Sequence, residues 1–316
     1  MISPRIIGRR RSETPGPTLI VTAAIHGNEV AGVHAAHAVL ARLDEAGTSL
    51  RGELVVLAGN VSAMALGKRF QVKDLNRQWT PEKVAALHAR DAAADDAEDR
   101  EQRALLGEID RAIEDARGPV FFVDLHTTSA AGYPFGIYDA AAQEAFAHAF
   151  PLPTIRGLGA ALAGVLSSYM ASRGAVALAV EGGQHVDPTT ATHLDATLTI
   201  ALSVAGLAHA PPRLAESIAH LDAVRGDIPR AMEVVARYAI VPDDRFVMTP
   251  GFANIAHVTR GQLLAKDARG AIHAPMDGYV ILPLYQGQGD DGFFFGVPTR
   301  VLATEGPDGS ARARGR

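Results

Sequence analysis

The sequence predicts an α/β protein: a mostly parallel sheet with helices on both faces, followed by a small C-terminal antiparallel β domain. Two patterns carry that prediction. Four apolar, β-rich runs, Thr18–Ile25, Glu53–Ala58, Val120–Leu125 and Ala175–Val180, are spaced so that helices fall between or after them. Strands alternating with helices give parallel sheets covered on both faces. After Pro229, short apolar runs are separated by turn formers instead, which suits antiparallel strands.

Taken in order, Thr18–Ile25 reads as the first buried strand. The helix after it, Glu29–Leu43, carries Val30, Val33, Val39, Leu40 and Leu43 at helical spacing and stops at Gly47. His34 and His37 lie within it and read as packing or surface residues. The second strand, Glu53–Ala58, leads into a polar stretch holding Arg69 and Asp74-Leu75-Asn76-Arg77. Pro81–Ala116 is rich in alanine and charge and reads as helical, with Asp91–Arg103 as a solvated helix face or a loose segment. The third and fourth strands, Val120–Leu125 and Ala175–Val180, are accompanied by helices at Ala160–Arg173 and Thr189–His209. Gly157-Leu158-Gly159 with Gly164 is a faint dinucleotide fingerprint, set aside because no acidic ribose-binding residue closes a βαβ unit there.

At Pro211-Pro212 the character changes. Residues 1–211 are expected to form the α/β domain, 212–228 a linker and 229–305 the β domain. Its runs are Met232–Ile240, Phe246–Met248, Ile255–Val258, Gly278–Leu284, Phe293–Val297 and Thr299–Ala303. Asp290-Asp291 reads as a solvated turn. The Gly/Ala/Arg-rich tail, 306–316, is expected to be disordered.

Composition narrows the function. The chain has 316 residues, 47% of them hydrophobic and 21% charged, enough for a sizeable core. A net charge of −5 argues against nucleic acid, which calls for a basic excess. The apolar runs are too short to span a bilayer, so no membrane partner is expected. The basic start, Met1–Arg11, is not followed by an apolar stretch and small-residue cleavage site, so no signal peptide is expected and a cytoplasmic location is the default. The absence of cysteine excludes disulfides, thiolate nucleophiles and iron–sulfur clusters. Any metal must be held by histidine, carboxylate or backbone oxygen. Oligomeric state stays open, a homo-oligomer included.

Chemistry-bearing residues stand where predicted strands end, the edge at which open α/β proteins place their sites. His26-Gly27-Asn28-Glu29 follows the first strand. A histidine and a glutamate three apart can point one way on a first helical turn and grip a zinc ion, although Glu29 could simply favour a helix N-terminus. Asp124-Leu125-His126-Thr127 ends the third strand. His26, Glu29 and His126 match in number and type the three protein ligands of hydrolytic zinc. Asp124, on the same side of its strand as His126, could orient a ligand imidazole. Glu181 ends the fourth strand among apolar neighbours, where a raised pKa would suit proton transfer; a capping or surface role is the plain alternative. Arg69, Asn76 and Arg77 have the donors to hold a carboxylate, or make a surface salt-bridge loop.

With these motifs in place, the sequence resembles the succinylglutamate desuccinylase/aspartoacylase family, relatives of the zinc carboxypeptidases. The matching pieces are HGNE (26–29), Arg69 with DLNR (74–77), DLHTT (124–128), the strand-end Glu181 and APMDGYVILPL (274–284). The resemblance runs from about Thr18 to Ala303. It implies one zinc ion per chain held by His26, Glu29 and His126, with Glu181 as general base and acid. It further implies that Arg69 polarises the scissile carbonyl, that Asn76 and Arg77 hold a substrate carboxylate, and that Tyr169, Arg173 and Tyr285 contact substrate. The expected reaction is hydrolysis of a small N-acyl amino acid by metal-activated water. Peptide cleavage by a zinc carboxypeptidase and a non-catalytic metal-dependent binding protein are the alternatives. A β domain crowding the mouth of the site would separate the first reading from the second.

Overall fold

The computed structural model describes residues 5–300. The tail 306–316 lies outside them, and the run Thr299–Ala303 extends past them. In chain order the strands are β1 (Ile6–Arg11), β2 (Thr18–Ala23), β3 (Glu53–Ala58), β4 (Val120–Thr128), β5 (Phe135–Tyr138), β6 (Thr154–Arg156), β7 (Val176–Gln184), β8 (Ala231–Ala239), β9 (Val247–Met248), β10 (Ala256–Val258), β11 (Leu263–Asp267), β12 (Gly270–His273), β13 (Gly278–Ile281) and β14 (Asp291–Pro298). The helices are α1 (Ala31–Glu45), α2 (Val61–Ala65), α3 (Pro81–Ala89), α4 (Ala97–Glu114), α5 (Ala141–His148), α6 (Leu158–Ala161), α7 (Leu166–Ser172), α8 (Thr189–Val204) and α9 (Leu214–Arg225).

The four runs expected to be parallel strands form the centre of one large sheet, in the order β3-β2-β4-β7 and parallel throughout. Successive side chains of a strand face opposite layers, and β2 shows the result. Leu19, Val21 and Ala23 pack in the cluster that contains α1, α5 and α8 residues, whereas Ile20 packs with α4 and α7 residues. Every residue of β2 and β3 is buried, which is why these strands read as unbroken apolar runs. Fully burying each large aliphatic side chain contributes roughly 1.5–3 kcal/mol relative to exposure.

Beyond β7 the sheet continues through β5, β6, β8, β14, β13 and β10. β5 runs antiparallel to β7, β6 is parallel to β5, and β8 is parallel to β6. β8, β14, β13 and β10 then pair antiparallel. A second antiparallel sheet, β12-β11-β9, completes the C-terminal part. Along β14, Phe293 and Phe295 join the cluster containing Met248 and Leu264 of this C-terminal part, and Phe294 turns to the cluster shared with β5 and β6.

Several elements differ from expectation. The stretch 212–228, expected to be a linker, contains helix α9. Ser217 and Leu221 are buried there and Leu214 is half-buried, an apolar stripe that seats the helix on α8 and is diluted in the sequence by charge. The helix expected over Ala160–Arg173 is two short ones, divided at Gly164. Its φ of +80° and the 2.5 Å from a Cβ placed there to the Arg77 carbonyl oxygen admit only glycine. β1, β5, β6, α5 and the β11–β12 hairpin were not expected. The charge run Asp91–Arg103 is not a solvated face. Asp95, Glu98, Asp99, Glu101 and Gln102 are all buried. Glu98 accepts from the backbone N–H groups of Gln71, Val72 and Lys73 and from the Asn60 side chain. Glu101 accepts from the N–H groups of Val61 and Ser62 and pairs with Arg5. These bonds satisfy the buried carboxylates and fasten the segment carrying Arg69.

Candidate active site

The three candidate metal ligands are brought together. β2 ends at Ala23, and Ala24 takes a left-handed backbone (φ 55°) before His26. A non-glycine residue in that region is held by its surroundings at a cost, a feature that clusters at functional sites. The turn 26–29 closes with the Glu29 N–H donating to the His26 carbonyl, and α1 follows. Gly27 sits so close to the backbone of Ala63 and Met64 that a Cβ there would meet it at 2.2 Å. Glycine therefore sets the turn against the Arg69 segment, whose Arg69 carbonyl accepts the Gly27 N–H.

His126 lies near the end of β4, register-paired with Glu181 of β7. The Nδ1 atoms of both histidines face the Glu29 carboxylate, at 2.8 Å for His26 and 3.0 Å for His126. One ligand atom from each of the three residues lies within 4.8 Å of the others, and all three residues are buried. Each imidazole has a carboxylate on its other nitrogen. His26 Nε2 is 3.1 Å from Asp74 Oδ1, and His126 Nε2 is 3.0 Å from Asp124 Oδ2. Thr22, the register partner of Asp124 on β2, donates its hydroxyl to Asp124. Asp124 thus lies beside His126, and Asp74, to which the sequence reading gave no part, lies in the corresponding position beside His26.

The donor set fits a divalent cation. Glu29, Asp74 and Asp124 bring three buried or nearly buried carboxylates together, with Arg69 as the neighbouring arginine. So much buried negative charge calls for positive charge beside it. Beside them, His126 supplies positive charge. Burial alone would lower His126, but Asp124 and Glu29 outweigh burial and hold it well above its ordinary value. Burial would raise Glu29, but His26 and His126 outweigh burial and hold it well below. Two imidazole nitrogens and a carboxylate are also the donor types of hydrolytic zinc.

Glu181 behaves differently. Burial, with Glu29 and Asp124 adding and His126 and Arg69 opposing, pushes its carboxyl up to about 8. Its Oε2 and the Arg69 Nε are buried without a hydrogen-bond partner, so both are free to meet a bound molecule. Arg69 is otherwise held by Asp74 at 3.0 Å and Glu29 at 3.4 Å. Asn76 stands 3.5 Å from His126 Nε2 and accepts the Leu166 N–H. Arg77 donates to the Asn76 carbonyl and lies 3.6 Å from Asp291. Arg69, Asn76, Arg77 and Glu181 all line one pocket with the His–Glu–His group.

Tyr169, Arg173 and Tyr285 are not in that lining. At the start of α7, the N-cap Val165 and Ser167 line the pocket, whereas Tyr169 packs on Trp79, and Arg173, the C-cap, lies over the Tyr169 ring and pairs with Asp110. The four-residue spacing puts the two side chains together, on the face turned toward α4. Tyr285 directs its hydroxyl to the backbone of Thr249 and Phe252. Asp291, expected in a solvated turn, lies in the pocket wall and pairs with Arg77 and with Arg237. Its place rests on strand pairing between β14 and β8, which local sequence does not carry.

Fold and site together define an α/β protein with a candidate three-ligand metal centre at the carboxyl edge of its parallel strands, opening into a small-molecule pocket. The catalytic-domain model of the succinylglutamate desuccinylase/aspartoacylase family matches residues 15–208, and the chain belongs to that family. A succinylglutamate desuccinylase from Photorhabdus laumondii subsp. laumondii is 36% identical over 62 residues, 20% of this chain and 19% of that protein. Among solved structures, a succinylglutamate desuccinylase/aspartoacylase from Rhodobacter sphaeroides is 19% identical with a TM-score of 0.65, the similarity covering 92% of this chain and 87% of the other. Succinylglutamate desuccinylase from Vibrio parahaemolyticus is 16% identical with a TM-score of 0.64, covering 91% and 83%. These two structures share the fold. Among the described residues, no helix is long and apolar enough to cross a membrane.

Proposed function

We propose that the protein is a zinc-dependent amidohydrolase that removes the acyl group from a small N-acyl amino acid. The observation that carries this reading is the register pairing of Glu181 with His126, which sets a buried, unpartnered carboxylate oxygen beside the His–Glu–His group. His26, Glu29 and His126 would hold the zinc ion. When bound, zinc polarises an acyl carbonyl and lowers the pKa of a coordinated water toward about 7.

The chain's own residues supply the rest. Positive charge arriving beside Glu181 favours its ionised form, so Glu181 can take a proton from the attacking water and return it to the leaving nitrogen. The Arg69 guanidinium, fixed by Asp74, offers its unpartnered Nε to the oxyanion, a preorganised donor worth roughly 3 kcal/mol. Asn76 and Arg77 hold the substrate carboxylate. Asp74 and Asp124 keep the two imidazoles oriented. Residues 1–211 carry the chemistry in this reading, and the described part of 229–305, up to residue 300, contributes the strands and loops that narrow the mouth. Supporting a small substrate, Leu282, Pro283, Leu284, Gln286 and Gly289–Asp291 all line the pocket.

The test is metal content together with hydrolysis. Purified protein should carry about one zinc per chain and hydrolyse N-acyl amino acids, and His26→Ala or His126→Ala should lose both properties, because two remaining ligands hold zinc poorly. Full zinc occupancy in His126→Ala would sink the ligand assignment.

A further inference from the structure

The pocket beside the His–Glu–His group is apolar along one wall. Ile137, Leu158, Leu162, Val165, Leu282 and Phe294 line it and pack in one hydrophobic cluster. This wall starts at the proton-transfer residue. Ala179 precedes Glu181 by two positions on β7 and so shares its face, it too lines the pocket, and Ile137 of β5 is its register partner.

The arginines of the pocket already have carboxylate partners. Among the described residues, Arg69 and Arg77 are the only lysine or arginine side chains in its lining. Arg69 is engaged by Glu29 and Asp74, and Arg77 faces Asp291, which Arg237 holds from the other side. Asp290 and Asp291 add negative charge to the same lining. A second or third substrate carboxylate would find no unpaired lysine or arginine in the lining, only neutral groups such as Thr127, Ser129 and Gln286, the apolar wall or these aspartates, and leaving its charge unpaired there is costly.

We propose that the substrate is an N-acyl amino acid or amine that lays an aliphatic or aromatic group on this wall and bears no more than one free carboxylate. The proposal rests on the deacylase reading above and concerns selectivity in the same site. The apolar group belongs to the acyl half or to the amine half, and the choice of substrates tells which.

The experiment measures kcat/KM of the zinc-loaded enzyme for N-acetyl-L-leucine, N-hexanoylglycine, N-acetyl-L-aspartate and N-succinyl-L-glutamate. Each methylene buried on the wall should gain about fourfold, so the better apolar substrate should exceed both polycarboxylates by roughly 100-fold. The leucine compound in front places the apolar group on the amine half, and the hexanoyl compound places it on the acyl half. A polycarboxylate in front, or within about tenfold of the better apolar substrate, overturns the proposal. Leu282→Lys, at a half-buried position, should shift preference toward the polycarboxylates by about tenfold or more, and Leu282→Met should not. If none of the four is hydrolysed, the deacylase reading fails, and selectivity is then read from thermal stabilisation. A raised Tm with N-acetyl-L-leucine or N-hexanoylglycine, and none with N-acetyl-L-aspartate, supports the apolar site. The reverse, or no shift with any compound, overturns it.

Discussion

At Glu181, burial pulls against the proposed function. A carboxyl pushed up to about 8 by burial binds its proton more tightly in the folded chain than in the unfolded one. Between the ordinary glutamate pKa and about 8, the folded state therefore holds more protons, and this group's contribution to stability falls as pH rises. Glu181→Gln removes that dependence. In metal-free protein, the variant should gain in urea midpoint relative to wild type as pH is raised from about 5 to about 8. A constant difference across that window would mean that Glu181 is not a strained buried carboxyl. In zinc-loaded protein the same substitution should retain the metal and lose roughly 100-fold or more in turnover. Near-wild-type turnover would assign the carboxylate to structure. That His26, Glu29, His126, Asp124 and Glu181 would gather at one sheet edge was legible, because each stands at a strand end or at a two- or three-residue spacing from one that does. The place of Asp74 beside His26 was not, because that contact spans 48 residues.

Helix α4 shows what local reading misses at the scale of an element. Its N-terminal charges look like a solvated face, yet they bond to a polar segment that precedes the helix in the chain. Charge density says that a face is polar, and only the approach of another backbone decides that it is buried. Glu98 is the main anchor, with four hydrogen bonds to Asn60 and to the backbone of Gln71–Lys73. Glu98→Ala leaves these donors unsatisfied, at about 1–3 kcal/mol for each that water cannot reach. Hydrogen exchange at Gln71, Val72 and Lys73 should accelerate, while amides of β2 and β4 stay protected. Because Arg69 rides on this segment and contacts Glu29, kcat/KM should fall with zinc retained. Unchanged exchange at 71–73 would show that the segment is held by other contacts.

On the scale of the whole molecule, residues far apart in the chain, from His26 to Phe294, meet at the pocket. The parallel centre was readable from four apolar runs, because strands buried on both faces have no polar side to confuse the pattern. The join between β6 and β8 was not readable, since those strands pair across α6, α7, β7, α8 and α9. Through that join the C-terminal strands place 282–291 over the site and set Asp291 against Arg77. Small N-acyl amino acids should therefore turn over, and peptides of about four or more residues, which need an open cleft, should not. A carboxylate is common to both kinds of substrate, so Arg77 cannot separate them and size must. Arg77→Lys should nevertheless weaken the small substrate, because an ammonium replaces a planar fork with a point charge. That loss should shrink for an analogue whose carboxylate is an amide, since the missing contact is to that group. An equal penalty on acid and amide would remove Arg77 from carboxylate binding. Efficient cleavage at a tetrapeptide C-terminus would show that 282–291 does not close the mouth, and would favour a carboxypeptidase.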